Sequence, residues 1–215
     1  MAPPERPSVR REDWTGALLV GGGSRRMGRD KLRLRLPGGE ALAAVAARAL
    51  MEVCGSLLAV GGGAEGLLPA AFERQPDAVE GIGPAGGLLA ALRRARTPWV
   101  LVLSADLPAV DAAFLAELQE RAAADPGRVL FPWREGRSRH QASAWPRVLL
   151  PRVEAAVADG RRALRELAPL ESLRFWNYGE GRVPGRIRDP LANLNSPRDW
   201  RSWTGQGLPD PSTPT

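Results

Sequence analysis

The sequence predicts an α/β fold: a mostly parallel central sheet flanked by helices in three layers. Two observations carry that prediction. The chain begins with a strand, a glycine-rich loop, a helix and a second strand between Trp14 and Val60, an order that describes a βαβ unit with parallel strands and a right-handed crossover. Further on, Trp99-Val100-Leu101-Val102-Leu103 is continuously apolar, as a central parallel strand covered on both faces should be.

Each element follows from local pattern. Trp14 to Val20 is a short apolar run ending at Gly21-Gly22-Gly23, which reads as a buried strand breaking into a tight loop. Leu32, Leu34 and Leu36 alternate with arginines, a period-two pattern that predicts a short strand, ended by Pro37-Gly38-Gly39. Leu42, Val45, Ala46, Ala49 and Leu50 lie at helical spacing within Glu40 to Val53. Ser56 to Val60 is the second strand, and a short helix is expected around Glu65 to Phe72. Gly83-Pro84-Ala85-Gly86-Gly87 opens a helix ending near Arg96, with proline at the first turn. Asp111 is placed to cap a helix from Ala112 to Ala124. Strands are expected at Arg128 to Pro132 and, after a hairpin turn at Arg134 to Arg137, at Ser138 to Trp145. A helix from about Pro146 to Ala158, another beginning at Gly160 to Leu167 and a strand at Leu173 to Tyr178 follow. Ser196-Pro197 supplies a cap and first-turn proline for a last helix to about Trp203.

At 215 residues and 44% hydrophobic content the chain suits one sizeable domain. That domain is expected at 14–203, with 1–13 and 204–215 as flexible tails. No apolar run approaches the ~20 residues of a membrane span, and Met1 to Asp13 lacks the apolar stretch of a secretory signal. The single cysteine, Cys54, cannot form an internal disulfide and reads as a buried thiol in a reducing cytoplasm. A net charge of +6 admits nucleic acid as a partner, but the basic residues are spread along the chain and no nucleic-acid signature accompanies them. An anionic substrate gains from such a field in either case.

The candidate site lies in and beyond the first glycine loop. Glycines there let the backbone approach a ligand closely, and successive free N–H groups form a concavity suited to anions. Arg25, Arg26 and Lys31 follow closely, so the loop can surround a polyphosphate with charge-assisted donors. Lys31 is the one lysine among 30 Lys plus Arg; this is chance or the use of a compact point charge on phosphate. Gly23 and Gly28 satisfy G-x-x-x-x-G, but Arg29-Asp30 stands where a P-loop needs Lys then Ser or Thr, and Arg26 stands at the third glycine of the dinucleotide fingerprint.

The apolar strand at Trp99 runs into Ser104-Ala105-Asp106-Leu107-Pro108. Ligands of open α/β sheets lie beyond the carboxyl ends of the strands, so Asp106 is expected to share a crevice with the glycine loop. A carboxylate facing triphosphate oxygens there is a natural Mg²⁺ anchor; the alternative is a helix cap, for which Asp111 is better placed. Asn193 and Asn195 lie two apart, so on a strand both amides would face one side, or they serve turn and strand-end hydrogen bonding. His140, the only histidine, reads as structural.

From Leu19 to Lys31 the chain matches L-x-G-G-x-S-x-R-M-G-x-D-K residue for residue. This resembles the signature of the molybdenum cofactor guanylyltransferases (the molybdopterin-guanine dinucleotide biosynthesis protein A family), within the Rossmann-like nucleotidyltransferases. Over about residues 14–203 the order and spacing are similar too. Asp77 with Gly83-Pro84-Ala85-Gly86-Gly87 resembles the family's aspartate and G-P-L-A-G, Asp106 its D-x-P, and Asn193-Leu194-Asn195-Ser196-Pro197 its N-x-N-[ST]-P. The resemblance implies transfer of GMP from GTP, with Mg²⁺, to the terminal phosphate of molybdenum-molybdopterin. It implies catalytic roles for Arg25, Lys31 and Asp106, with Asp106 holding the metal. Nucleotide contacts are implied at Leu19, Val20, Gly21, Gly22, Gly23, Ser24, Arg26, Lys31, Gly61, Asp77, Gly83, Pro84 and Asp106. Asn193 and Asn195 would lie beside the acceptor. A family histidine in an equivalent hairpin near the pterin-accepting side gives His140 a second reading, contact with that substrate.

The family's guanine version has L-A-G-G where cytidine-using relatives have L-A-A-G; Leu19-Val20-Gly21-Gly22 agrees with the former apart from Val20. An asparagine of the family falls here at about Gly61, which removes a side-chain contact to the base. The attacking phosphate is already ionised, so no protein base is required, and catalysis would rest on positioning and charge neutralisation. The resemblance also implies a cytoplasmic protein, expected as a monomer rather than a stable oligomer, with molybdoenzymes or cofactor-delivery proteins as partners and neither nucleic acid nor membrane. A relative using CTP or another phosphorylated acceptor is the alternative enzyme. A nucleotide-binding protein without turnover is the alternative from another class.

Overall fold

Strand β1, Trp14–Leu19, is buried along nearly its whole length, and the rest of the fold is laid down on either side of it. The computed structural model describes residues 9–21, 27, 30–178 and 189–209. Helix α1 (Leu42–Val53) leads to β2 (Ser56–Val60) and the short β3 (Glu73–Gln75). Helix α2 (Pro84–Arg94), β4 (Trp99–Ser104) and α3 (Ala112–Ala123) follow. The last part contains β5 (Val129–Arg134), β6 (Arg137–Ser138), β7 (Ala142–Pro146), α4 (Leu150–Ala158), β8 (Leu173–Asn177) and α5 (Pro197–Thr204).

The strand order is β3-β2-β1-β4-β7-β5-β6, with β8 on the other side of β5. β1 pairs in parallel with β2 and β4, and β2 with β3. β7 runs antiparallel to β4 and to β5, which in turn pairs in parallel with β8. The sheet is therefore mixed: β7, entered through a hairpin, is wedged between β4 and β5.

Two apolar layers cover the sheet. On one face Leu18, Leu101 and Leu103 meet Leu50 of α1 and Phe114 and Leu118 of α3. On the other, Ala17, Val100 and Val102 meet Leu88 and Leu92 of α2 and Val153 of α4. Alternation along β1 and β4 sends successive side chains to opposite layers, which makes both strands read as unbroken apolar runs. Cys54 is buried in the first layer, and burial pushes its thiol pKa up to about 12; it is a structural thiol, as expected. A smaller cluster joins Leu34 and Leu42 to Leu194 and Trp200, docking the C-terminal segment beside the first loop.

Several expected elements differ. The leucine alternation at 32–36 forms a 3-10 turn, Lys31–Arg33, because the Asp30 carboxylate accepts the Leu32 N–H at 3.0 Å and offers the backbone a local alternative to a ladder. Residues 65–72 are turns instead of a helix; Ala64 and Gly66 have positive φ of 60° and 71°, which a right-handed helix cannot contain. Where a helix was expected at Gly160 to Leu167, the 3-10 turn Leu164–Glu166 forms instead. The strand expected at 138–145 is broken into β6 and β7. β3, charged and without alternation, was not expected.

The expected tails fall partly outside the described residues, at 1–8 and 210–215. Within them, Val9 packs on the core and the Arg11 guanidinium donates to the carbonyls of Met51 and Cys54. At the other end Trp200 Nε1 donates to the Gly207 carbonyl at 3.2 Å. No helix among the described residues is long and apolar enough to cross a membrane.

Candidate active site

The chain leaves β1 for β2 on one side and later returns to pair β4 on the other. The carboxyl ends of β1 and β4 thus flank a topological switch point, the usual crevice for a ligand in such a sheet. Backbone hydrogen bonds fix what emerges there. Val20 N donates to Val60 O at 2.9 Å and Ala105 N to Leu19 O at 3.3 Å. The Val20 side chain turns into the core, so only its backbone belongs to the site. Gly61 has a φ of 103°, and a Cβ there would lie 2.6 Å from Gly21 Cα and N; one on Gly63 would lie 2.1 Å from Val20 O. Gly61 and Gly63 therefore let the backbone of Val20 and Gly21 pass close by, and position 61 offers a ligand no side chain.

Lys31, at the start of its 3-10 turn, reaches across to the end of β4. Its Nζ donates to Asp106 Oδ2 at 2.6 Å and to Asn195 Oδ1 at 2.7 Å. The lysine and aspartate side chains are only 17% and 8% exposed, so this ion pair is largely dry. The second carboxylate oxygen is engaged as well: Ser104 Oγ donates to Asp106 Oδ1 at 2.7 Å. Ser104 was missed in the sequence, although Ser-x-Asp at a strand end places both side chains on one face.

Asn195 lies in a loop and not on the expected strand, held from both sides. Leu194 N donates to Asp106 O at 3.1 Å, and Asn195 N donates to Asp199 Oδ2 at 3.0 Å. Asp199 is in the first turn of α5, where its own N–H donates to the Ser196 side chain, close to a capping box. Burial works against the Asp199 carboxylate, but hydrogen bonds from the Ser196 side chain and from the Asn195 and Ser196 amides outweigh it and hold its pKa below the ordinary value. At the start of the loop, Asp189 Oδ1 accepts from Tyr178 OH and from Leu191 N, both at 2.9 Å. Burial first, and Asp189 second, push the Tyr178 pKa up. Asn193 is half-buried in the same loop; the amide that reaches Lys31 is that of Asn195.

Beside the Lys31–Asp106 pair opens a cleft of about 470 Å³ whose walls include Leu19, Gly21, Asp77, Gly83, Pro84 and Ser104. Gly83, at φ 65°, turns the chain into α2, and Pro84 is at its first turn, so the positive end of that helix dipole faces the cleft wall. Burial, with the Glu80 charge second, raises the Asp77 pKa. His140 is not part of this constellation: its Nε2 is 2.8 Å from Ser138 Oγ and its ring stands edge-on to Phe131 at 5.0 Å. Burial, and then Arg165, lower its pKa. Gly22, Gly23, Ser24, Arg25, Arg26 and Gly28 lie outside the described residues.

The donor set suits a hard cation that shares its coordination with a substrate. Among the described residues no group of three or more His, Cys, Asp or Glu is placed to hold a metal. A single carboxylate with a nearby amide oxygen is what Mg²⁺ commonly uses when phosphates and water complete its shell. Asp106 and Asn195 fit that role.

The sequence profile of the MobA-like NTP transferase domain matches residues 16–172. A "Probable molybdenum cofactor guanylyltransferase" of Opitutus terrae is 34% identical over 195 residues, covering 86% of this chain and 91% of that protein. The crystal structure of molybdopterin-guanine dinucleotide biosynthesis protein A from Archaeoglobus fulgidus superposes with a TM-score of 0.70 at 22% identity, covering 89% of this chain and 97% of that one. A Mycobacterium tuberculosis H37Rv structure in complex with manganese superposes with a TM-score of 0.62 at 17% identity, covering 89% and 98%. The profile match spans well over half of the chain, and the chain belongs to the MobA-like NTP transferase family, a family of nucleotidyltransferases.

Proposed function

We propose that this protein transfers GMP from GTP to the terminal phosphate of molybdenum-molybdopterin, forming the guanine dinucleotide cofactor and releasing pyrophosphate. The observation that carries the reading is Lys31, held between Asp106 and Asn195 at the carboxyl ends of β1 and β4. The names of the relatives supply the guanylyl and molybdopterin parts.

In this reading the cleft beside Asp77 receives the nucleoside. The backbone at Gly21, with Gly22, Gly23, Ser24, Arg25 and Arg26 beyond it, surrounds the triphosphate. Lys31 places its ammonium on the phosphates, and Asn195 orients the acceptor phosphate for attack on the α-phosphorus. That phosphate arrives ionised, so the protein's task is alignment and the exclusion of competing water. Asp106 and Asn195 would hold Mg²⁺, and the ion when bound supplies neutralisation of charge on the leaving pyrophosphate. His140 stays structural. The protein is read as a cytoplasmic monomer that passes its product to molybdoenzymes or their delivery proteins.

The test is pyrophosphate release with Mg²⁺, molybdenum-molybdopterin and each nucleoside triphosphate in turn. Release with GTP alone supports the proposal; none with any nucleotide sinks it. One observation bears on base selectivity: position 61, where the resemblance implies an asparagine, carries only backbone against Gly21, so a side-chain contact that would favour guanine is missing. Selective release with CTP would establish the CTP-using alternative instead.

A further inference from the structure

Both oxygens of the Asp106 carboxylate already have a donor, and the two donors differ in freedom. Ser104 Oγ, on Oδ1 at 2.7 Å, belongs to the last residue of β4 and is fixed by the sheet. Lys31 Nζ, on Oδ2 at 2.6 Å, hangs on a flexible four-carbon stem rooted in a 3-10 turn. We infer that Lys31 and the divalent cation compete for Oδ2 of Asp106, so that the cation enters this site only with the triphosphate that draws Lys31 away. The inference rests on the nucleotidyl-transfer reading for the identity of that triphosphate.

The physical argument is short. A divalent cation on Oδ2 would meet the lysine ammonium at contact distance, in a site where Asp106 is 8% exposed and Lys31 17%, so that little solvent screens the repulsion. Rotation of the carboxylate gives no escape, because Ser104 holds the other oxygen. Nor do the described residues offer the cation a complete shell of their own, since none of them form a group of three or more His, Cys, Asp or Glu placed for one. A triphosphate changes both sides of the balance. Its oxygens give Lys31 stronger acceptors than one carboxylate and an amide, and they supply the ligands the cation lacks. Ser104 then acts as a positioning residue that keeps Oδ2 turned toward the vacated place.

The experiment is Mn²⁺ binding without nucleotide, followed by the electron paramagnetic resonance signal of free Mn²⁺, in wild type, Lys31→Met and Lys31→Gln. Removing the positive charge should tighten binding of the metal alone at least tenfold in both variants, although both should bind triphosphate less well. Adding Asp106→Asn to Lys31→Met should abolish the gain. Equal affinity in wild type and both variants overturns the inference, as does a gain that survives the Asp106→Asn change. Lys31→Gln keeps a donor for Asp106 and guards against loss of fold in Lys31→Met, which circular dichroism would reveal. Adding each nucleoside triphosphate to wild type tests the other reading by itself. No rise in Tm with any of them in the presence of Mn²⁺ counts against nucleotidyl transfer and leaves the metal-only comparison standing.

Discussion

Asp189→Ala is a change outside the Lys31–Asp106 constellation whose cost is read from particular contacts. The carboxylate accepts from Tyr178 OH and from the buried Leu191 N–H at 2.9 Å each. It also faces Arg134 at 3.5 Å and Arg139 at 3.8 Å, side chains 36% and 26% exposed. Losing the acceptor leaves two donors unpaired, at about 1–2 kcal/mol each. The ion pairs are long and partly solvated and add at most about 1 kcal/mol together. The sum, roughly 2–5 kcal/mol, is a large part of an ordinary stability margin and corresponds to a fall in Tm of about 10 °C. Asp189→Asn keeps an oxygen acceptor for both donors and loses only the ion pairs, so it should cost about 1 kcal/mol or less. Urea unfolding of wild type and both variants measures the difference. Turnover at a temperature where all are folded should fall in Asp189→Ala, whose loop no longer presents Asn195, and stay near wild type in Asp189→Asn. Equal destabilisation by the two substitutions would refute the hydrogen-bond account of this anchor.

Asp106→Ala should lower pyrophosphate release by at least about 10²-fold with the far-ultraviolet circular dichroism unchanged; normal turnover would end its assignment. Gly61→Asn should cost stability and GTP affinity together, since its Cβ would lie 2.6 Å from the Gly21 backbone. A stable variant with sharper guanine selectivity would contradict the passage role of Gly61. Burial holds the His140 pKa below that of a free histidine, so its contribution to stability is present above the unfolded value near ~6.5 and is lost as pH falls through the lowered folded value. Unfolding free energy should therefore drop on acidification in that window, and His140→Gln should flatten the drop; an unchanged slope would show that the ring plays no part.

Much of this was legible because it is local or periodic. Ser56 to Val60 and Trp99 to Ser104 announce strands because both faces are covered, and Asp111 and Ser196 announce helix starts because their side chains accept first-turn N–H groups. Asp106 could be placed because a residue after a buried parallel strand has one direction to go. What was not legible depends on tertiary partners. The antiparallel β7 between β4 and β5 is chosen by competition among strands, which composition does not encode. The leucine alternation at 32–36 gave way to one carboxylate, Asp30, reaching a nearby amide. Ser104 became a site residue only once the Asp106 side chain was seen turned back on it, and Asp189 only once Tyr178 and Leu191 were seen to converge.

The Tyr178–Asp189 hydrogen bond has a consequence for how this chain tolerates change in length. It ties two points eleven positions apart, and Asp199, which accepts from the Asn195 N–H, lies downstream of the tie. Joining two such points costs an entropy that varies only with the logarithm of the number of residues between them, so a change in that number leaves the segment that carries Asn195 in register. A peptide tag inserted between Tyr178 and Asp189 should therefore be better tolerated than one placed between Asp189 and Asn195.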